Sequence, residues 1–277
     1  MPETKDWLLL LVVVNLALGN LHAQNLPGIS WHGFSLKNEV IPNDFGGELP
    51  VKLSTHTARS ALALALGTAL LAKADREIDE EYAIDREYGP FSSLKWFGKT
   101  GKFYDMRYSS PAIAGLMGAA WLYGRYAGKE NYCETVGQMT QSLILTTLVT
   151  STLKTTVGRH RPYTNNGPFE NEMFDFTLKS DYMSFPSGHT SSIFALLTVL
   201  AKRSESRWIQ TGAYSLAASV GFQRMMYRKH WASDVLVGGF IGYSIANWVV
   251  YHGQKAGKWL RISPFLGGKT AGVSLHL

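Results

Sequence analysis

The 277-residue chain has little cysteine, little charge and few long apolar runs. Its one cysteine, Cys133, excludes an intramolecular disulfide framework and a zinc site built from several thiolates. Charged residues make up 17% of the sequence and aromatic residues 12%, which argues against disorder and for a packed core. No basic run is longer than the mixed stretch Arg159-His160-Arg161, so the net charge of +6 indicates anionic substrates or an anionic membrane surface rather than nucleic acid.

Only residues 235–253 approach the ~20 uncharged residues that a helix needs to cross a bilayer unassisted. A shorter apolar run, residues 7–18, follows Lys5 and precedes Ala23, a small residue at a suitable cleavage point. This pattern predicts an export signal over residues 1–23, with an uncleaved membrane anchor as the alternative. We therefore expect the protein in the periplasm, or at the cytoplasmic membrane with its site facing the periplasm.

The remaining sequence predicts an all-α fold, a single helical bundle with about six core helices. Residues 24–55 contain Gly, Pro and Asn at short intervals and predict an irregular N-terminal segment. The helical domain is expected over residues 56–261, and the tail, residues 262–277, alternates weakly around glycines and suits a short hairpin. Residues 60–72 are rich in Ala and Leu and predict a helix from propensity. Apolar residues on more than one face indicate buried helices at 110–126, 134–154, 190–202, 210–226 and 233–251.

A charged stretch, residues 73–87, follows the first predicted helix. Asp75, Glu77 and Asp79 have the spacing that opens a calcium loop. Glu80, however, occupies the place of the loop glycine and Arg86 that of the closing glutamate. We therefore predict a solvated helix face or a helix end here, and no metal site.

The first cluster with chemical potential is Lys154, Arg161 and Pro162. Seven residues are two helical turns, which would return both cations to one face. Pro162 disfavours helix at Arg161, so that arginine is expected at the helix exit. Two cations directed at one point suit an oxyanion, and arginine can hold phosphate through two donors. Alone, this spacing is more typical of two solvated basic residues at a helix end.

The second cluster is Pro186-Ser187-Gly188-His189, directly before a predicted apolar helix. Free backbone N–H groups at a helix N-terminus form an anion site. Gly188 lets a ligand approach the backbone closely, Ser187 can donate a hydroxyl hydrogen bond, and His189 can give or take a proton at the same point. The alternative is an ordinary capped helix start with an incidental histidine.

The third cluster is Arg224, His230 and Asp234. A carboxylate one helical turn from an imidazole can accept from one ring nitrogen and leave the other as a nucleophile or base. Arg224 adds a third cation for the oxyanion. The alternative is a helix start at which Asp234 acts as a cap with Ser233, beside a surface histidine.

Taken in this order, the clusters resemble the type 2 phosphatidic acid phosphatase (PAP2) superfamily, which also holds bacterial class A acid phosphatases and vanadium haloperoxidases. The resemblance covers residues 110–250, roughly half of the chain. One departure is Gln223, where the family usually has a serine that makes a supporting hydrogen bond. The matching motifs are Lys154-x6-Arg161-Pro162, Pro186-Ser187-Gly188-His189 and Arg224-x5-His230-x3-Asp234.

The resemblance implies catalysis through a phosphohistidine. It makes His230 the nucleophile, Asp234 its orienting partner, and His189 the group that protonates the leaving oxygen and later activates water. Cations and a helix N-terminus can replace a metal around the oxyanion, so we expect hydrolysis without metal or cofactor. The residues implied in phosphate binding are Lys154, Arg161, Ser187, Gly188 and Arg224.

Four functions remain open on sequence alone. The first, which we predict, is a membrane-associated phosphatase of phosphorylated lipids, either monoesters or pyrophosphates. The second is a soluble periplasmic acid phosphatase that acts on small phosphomonoesters. A vanadium-dependent haloperoxidase fits the short chain less well, and a non-enzymatic scaffold fits the complete set of motif residues less well.

The segment between the first two motifs, residues 163–183, carries several large apolar side chains. We expect it to lie over the site, and one hypothesis is that it forms an apolar entrance for a lipid tail. The alternative is a packed surface loop with a few buried aromatics. The side chains concerned are Phe169, Met173, Phe174 and Phe176.

Overall fold

The computed structural model describes residues 55–84, 94–104, 106–174, 179–256, 261–267 and 270–276. Within these ranges seven α-helices precede a two-stranded antiparallel hairpin, which confirms the all-α fold and the tail hairpin. The predicted export signal and most of the irregular segment lie outside the described residues. The elements are α1 (Thr55–Tyr82), α2 (Lys95–Thr100), α3 (Met106–Tyr126), α4 (Glu130–Val157), α5 (Gly188–Arg203), α6 (Arg207–Met226), α7 (Ala232–Ala256), β1 (Arg261–Gly267) and β2 (Thr270–His276).

The contacts divide the chain into two units, Met1–Ala65 and Leu66–Leu277. Only the start of α1 is described in the first unit. The second unit holds the bundle, the hairpin and all three sequence clusters. The candidate site is therefore built within one compact unit.

Helix α5 is the central helix of the bundle and packs against α4, α6 and α7. Its apolar side chains are buried on more than one face, and Ile193 and Val199 belong to two separate core clusters. Full burial of one such side chain stabilises the fold by roughly 1.5–3 kcal/mol. Because α5 begins at Gly188, its placement also holds the second sequence cluster inside the bundle.

Helix α1 is longer than predicted and continues through the charged stretch. A buried stripe at helical spacing runs along it: Ala72, Asp75, Asp79 and Tyr82. The interpretation of this stretch as a solvated face is therefore wrong for Asp75 and Asp79, and Asp75 is 0% exposed. The charged residues of the other faces, among them Lys73, remain exposed.

Helix α2 was not predicted, because six residues are too few to show a helical period. It and the following turn lie against α6, where Phe97 packs edge-on to Phe222 at 5.5 Å. Gly101 permits this approach, since a Cβ there would clash with the Ser219 carbonyl oxygen.

Among the described residues, one helical segment is long and apolar enough to cross a membrane: Ala232–Gly253 of α7. More than half of this segment is buried inside the protein, and the core helix of a soluble protein meets the same criterion.

Candidate active site

Helix α4 ends at Val157 because Gly158 adopts a left-handed conformation, with φ of 58°. A Cβ at Gly158 would overlap the Glu172 carbonyl oxygen, so a larger residue would clash there as well as being strained. Arg161 is therefore not on the helix but in extended backbone three residues beyond Gly158. The expectation that two helical turns bring Lys154 and Arg161 to one face is wrong.

Lys154 and Arg161 nevertheless converge, through a main-chain acceptor. The Lys154 Nζ donates to the Met183 carbonyl at 2.7 Å, and Arg161 Nη2 lies 3.4 Å from the same oxygen. Arg161 Nε also donates to the Ser180 carbonyl at 2.7 Å. The loop between the first two motifs thus folds back so that its end holds both cations of the first motif.

The second cluster begins α5 as predicted. Ser187 precedes the first helical residue, Gly188, and its Oγ lies 2.8 Å from the Thr190 hydroxyl. The stem of Lys154 lies against this helix start, since a Cβ at Gly188 would be 3.3 Å from Lys154 Cε. The Ser187 N–H donates to the Asp234 carbonyl at 3.1 Å, which joins the second motif to the third.

His230 lies in the connection between α6 and α7, buried to 2% exposure. Its Nδ1 lies 2.7 Å from the Ser184 carbonyl oxygen and 3.9 Å from Asp234 Oδ2. A carbonyl oxygen can only accept, so this contact places the proton on Nδ1 and leaves the lone pair on Nε2. The hydrogen bond that orients His230 is thus made to the Ser184 carbonyl and not, as expected, to Asp234. The Asp234 carboxylate still lies close to the same ring nitrogen.

Asp234 is fully buried in the first turn of α7 and is held by several donors. Its Oδ2 accepts from the Ser184 hydroxyl at 2.5 Å and from the Trp231 N–H at 2.9 Å. Its Oδ1 accepts from Arg159 Nη1 at 2.5 Å. Asp234 therefore serves both as the anion nearest to His230 and as an anchor for the backbone on either side of it.

Arg159 and Asp75 complete this buried network, and sequence reasoning missed both. Arg159 is 0% exposed and donates from Nη2 to Asp75 Oδ2 at 2.8 Å. Asp75 also accepts from the N–H and hydroxyl of Ser233, at 3.0 and 2.5 Å. Ser184 was missed as well. For Arg159 the sequence signal was the stretch Arg159-His160-Arg161, which indicates positive charge but does not indicate that Arg159 is buried.

Arg224 lies in the last turn of α6, where its Nη1 is 3.4 Å from Gln223 Oε1. The departure from serine at position 223 therefore still leaves an oxygen near the guanidinium. His189 lies in the first turn of α5, with its ring edge-on to Tyr104 at 6.2 Å.

Lys229 is a further cation at this end of the bundle, and it directly precedes His230. Its Nζ lies 4.6 Å from the centre of the Tyr163 ring, and its N–H donates to the Arg224 carbonyl at 2.9 Å. Burial lowers the pKa of Lys229, and the charges of Arg161 and Arg224 lower it further. The rim of the site is thus also positively charged.

The electrostatics favour an anionic ligand and a neutral imidazole. Burial, with the neighbouring charges of Arg161 and Arg224, lowers the pKa of Lys154 to about 7. Burial also holds the pKa of His230 well below its usual range; Asp234 opposes this shift, while the charges of Lys154 and Arg161 add to it. His230 is therefore neutral at pH 7, the state in which a ring nitrogen can attack an electrophile.

The loop between the first two motifs exposes apolar side chains. Phe169 is 44% exposed and Phe174 is 55% exposed, and Met173 is half-buried. Phe176 lies outside the described residues. The apolar entrance stays a prediction.

The sequence of this chain matches the model of a known protein family over part of its length. A model of the PAP2 superfamily matches residues 135–258. That range contains all three clusters, so the motifs singled out in the sequence lie within the part of the chain that matches this family.

Two curated proteins and a crystal structure resemble the chain. The lipid A 1-phosphatase of Porphyromonas gingivalis is 43% identical over 61 residues, 21% of this chain and 14% of that protein. The probable diacylglycerol pyrophosphate phosphatase 1 of Schizosaccharomyces pombe is 32% identical over 133 residues, 38% of this chain and 47% of that protein. The chain thus matches less than half the length of either protein.

The crystal structure is that of the first transmembrane PAP2-type phosphatidylglycerolphosphate phosphatase from Bacillus subtilis. It superposes with a TM-score of 0.50 at 21% sequence identity, over 70% of this chain and 96% of that one. This likeness shows a shared fold.

Proposed function

We propose that the protein is a metal-independent phosphatase that hydrolyses phosphorylated lipids, monoesters or pyrophosphates, through a phosphohistidine. The observation that carries the proposal is the Nδ1 contact of His230 with the Ser184 carbonyl, which leaves Nε2 unprotonated beside a cluster of cations. A buried neutral imidazole with one free lone pair suits nucleophilic attack on phosphorus.

The proposed reaction has two steps. His230 Nε2 attacks phosphorus, the P–N bond forms as the bond to the leaving oxygen breaks, and His189 donates a proton to that oxygen. His189 then takes a proton from water, whose oxygen attacks phosphorus and breaks the P–N bond. Both steps require stabilised charge on the equatorial oxygens more than covalent help from the protein.

The phosphate-binding groups that we propose come from three parts of the chain. Lys154 and Arg161 approach from the first motif and converge on the Met183 carbonyl, and Arg224 comes from the end of α6. The Gly188 amide and the Ser187 hydroxyl lie at the N-terminus of α5, whose free N–H groups favour an anion. Together they supply three cations and a helix end without a metal.

Two observations support a lipid substrate and membrane association. The relatives are named for lipid A and diacylglycerol pyrophosphate, both phosphorylated lipids. Large apolar side chains are also exposed on the outer faces of several helices, where lipid contact would cover them. Examples are Leu66, Leu70, Leu116, Leu148 and Trp208. With the export signal predicted at residues 1–23, we place the site on the periplasmic side of the cytoplasmic membrane.

The test is phosphate release by the purified full chain in detergent micelles. Phosphatidate and a long-chain isoprenyl pyrophosphate are compared with a small soluble monoester, for wild type, His230→Ala and His252→Ala. His252 lies near the far end of α7 and is a matched histidine control. We expect lipid substrates to have the higher kcat/KM, His230→Ala to abolish release, and His252→Ala to behave as wild type.

Other outcomes point elsewhere. Preference for the soluble ester favours a periplasmic scavenging phosphatase. Full activity of His230→Ala contradicts the nucleophile assignment. Absence of phosphate release together with vanadate-dependent halide oxidation favours a haloperoxidase.

A further inference from the structure

Three fully buried charged side chains, Asp75, Arg159 and Asp234, form a row of ion pairs that ends next to His230. Arg159 stands between two carboxylates, with Nη1 on Asp234 Oδ1 and Nη2 on Asp75 Oδ2. Asp75 comes from α1, 84 residues before Arg159 in the chain. Two carboxylates and one guanidinium leave this row with a net charge of −1.

We propose that Asp75 is a positioning residue for phosphoryl transfer, because it neutralises Arg159 and so leaves the charge of Asp234 available to His230. This inference rests on the proposed function of His230 as the nucleophile. It assigns a role in the reaction to a residue outside the three sequence clusters and outside residues 135–258, which match the family.

The argument follows from charge. When His230 Nε2 bonds to phosphorus while Nδ1 keeps its proton, the imidazole ring becomes cationic. The nearest anion is Asp234, at 3.9 Å from Nδ1. Without Asp75, Arg159 and Asp234 would sum to zero, and the new cation would face Lys154 and Arg161 without a compensating charge.

Asp75 also acts on the geometry of the same site. It accepts two hydrogen bonds from Ser233, the residue before Asp234, and so fixes the first turn of α7. Burial raises the pKa of Asp75 and the charge of Asp234 adds to this shift, whereas the charge of Arg159 and the bonds from Ser233 favour its carboxylate form. The effect of the Asp234 charge on His230 and the orientation of Asp234 therefore both depend on Asp75.

The experiment compares Asp75→Asn with Asp79→Asn in the full chain. Asp79 is a matched control, since it is a buried carboxylate one turn further along the same stripe of α1 and pairs with Arg228. Each variant is assayed well below its Tm for kcat, for sulfate Kd and for the pH profile of kcat/KM. The compensating variant Asp75→Asn/Arg159→Gln restores a net charge of −1.

We expect Asp75→Asn to lower kcat about tenfold or more while sulfate Kd, which reports oxyanion binding without a bond to His230, changes less than about threefold. Its acidic limb in kcat/KM should move to lower pH, because loss of a negative charge disfavours the protonated imidazole of His230. Asp79→Asn should lose stability but keep kcat within about twofold and its acidic limb in place. The compensating variant should recover part of the lost kcat.

A purely structural role would give a different set of results. Equal kcat in the two single variants, a parallel loss of sulfate affinity in Asp75→Asn, or no recovery in the compensating variant would each overturn the inference. If Asp75→Asn does not fold, the compensating variant decides alone, and loss of turnover with sulfate affinity and folding intact would count against the charge argument. Lack of hydrolysis by wild type would instead refute the proposed function.

Discussion

At the residue scale, the chemistry depends on ionisable groups that are kept out of water. Lys154 is the clearest case, because burial together with Arg161 and Arg224 brings its pKa to about 7. A dianion placed between these cations would favour the protonated lysine again. We therefore expect oxyanion binding and protonation of Lys154 to be coupled near neutral pH.

This coupling predicts a pH-dependent affinity for sulfate, an oxyanion that does not itself titrate in this range. Only protonated Lys154 attracts the anion, and its protonated fraction falls as pH rises through about 7. The sulfate Kd should therefore rise between pH 7 and 9, by up to about tenfold per unit. Isothermal titration calorimetry at several pH values measures this sulfate Kd.

Lys154→Arg is the control for this prediction, since it keeps the charge at all these pH values. Its sulfate Kd should be nearly flat from pH 7 to 9. A wild-type Kd that is equally flat would contradict the coupling.

The motif residues were accessible from sequence, because each belongs to a short pattern with local chemical meaning. Their partners were not. The acceptor for His230 Nδ1 is a main-chain carbonyl, which any residue at position 184 could provide. Asp75 contacts Arg159 across 84 positions, and no local spacing predicts that pairing.

At the element scale, the close approach of α7 to the start of α5 positions the site. Gly238 lies where a Cβ would be 2.6 Å from the Ser187 carbonyl oxygen. Because Gly238 has no side chain, α7 can approach closely enough for the Asp234 main-chain carbonyl to accept from the Ser187 N–H.

Gly238→Ala should therefore displace the second motif. We expect a loss of ~1–3 kcal/mol in the free energy of unfolding from overpacking, and a lower kcat. Gly118→Ala in α3 is the control, because a Cβ at Gly118 has no neighbour within 4 Å. It should be neutral or stabilise by up to ~1 kcal/mol. Equal effects of the two variants in chemical denaturation would contradict this account of the packing.

All six predicted helices are present: the first was predicted from its Ala and Leu content and the other five from apolar residues on more than one face. Their ends were less predictable. The charged end of α1 is buried by ion pairs that form only in the folded bundle, so composition alone indicated solvent. The position of Arg161 depends on the left-handed conformation of Gly158, which a rule of helical spacing does not include.

At the scale of the whole molecule, positive charge gathers at one end of the bundle. Several elements contribute to it, and the net charge of the chain is +6. The cations converge from the end of α4, the loop that follows it and the end of α6: Lys154, Arg161, Arg224 and Lys229. In the proposed reaction, these cations neutralise the phosphate with protein groups alone.

Phosphate release should accordingly survive a large excess of EDTA, with kcat within about twofold of the untreated enzyme. Full chain dialysed against EDTA is compared with the same sample after addition of Mg²⁺ or Zn²⁺. Loss of turnover that either metal restores would contradict a purely protein-based site.

The most direct test of the central claim is to trap the covalent intermediate. The full chain is mixed with a ³²P-labelled substrate, quenched in alkali and digested, and the labelled peptide is sequenced. We predict an alkali-stable, acid-labile phosphoramidate on His230 that forms at least as fast as kcat and is absent from His230→Ala. Turnover with no labelled histidine, or with the label on another residue, would contradict the account.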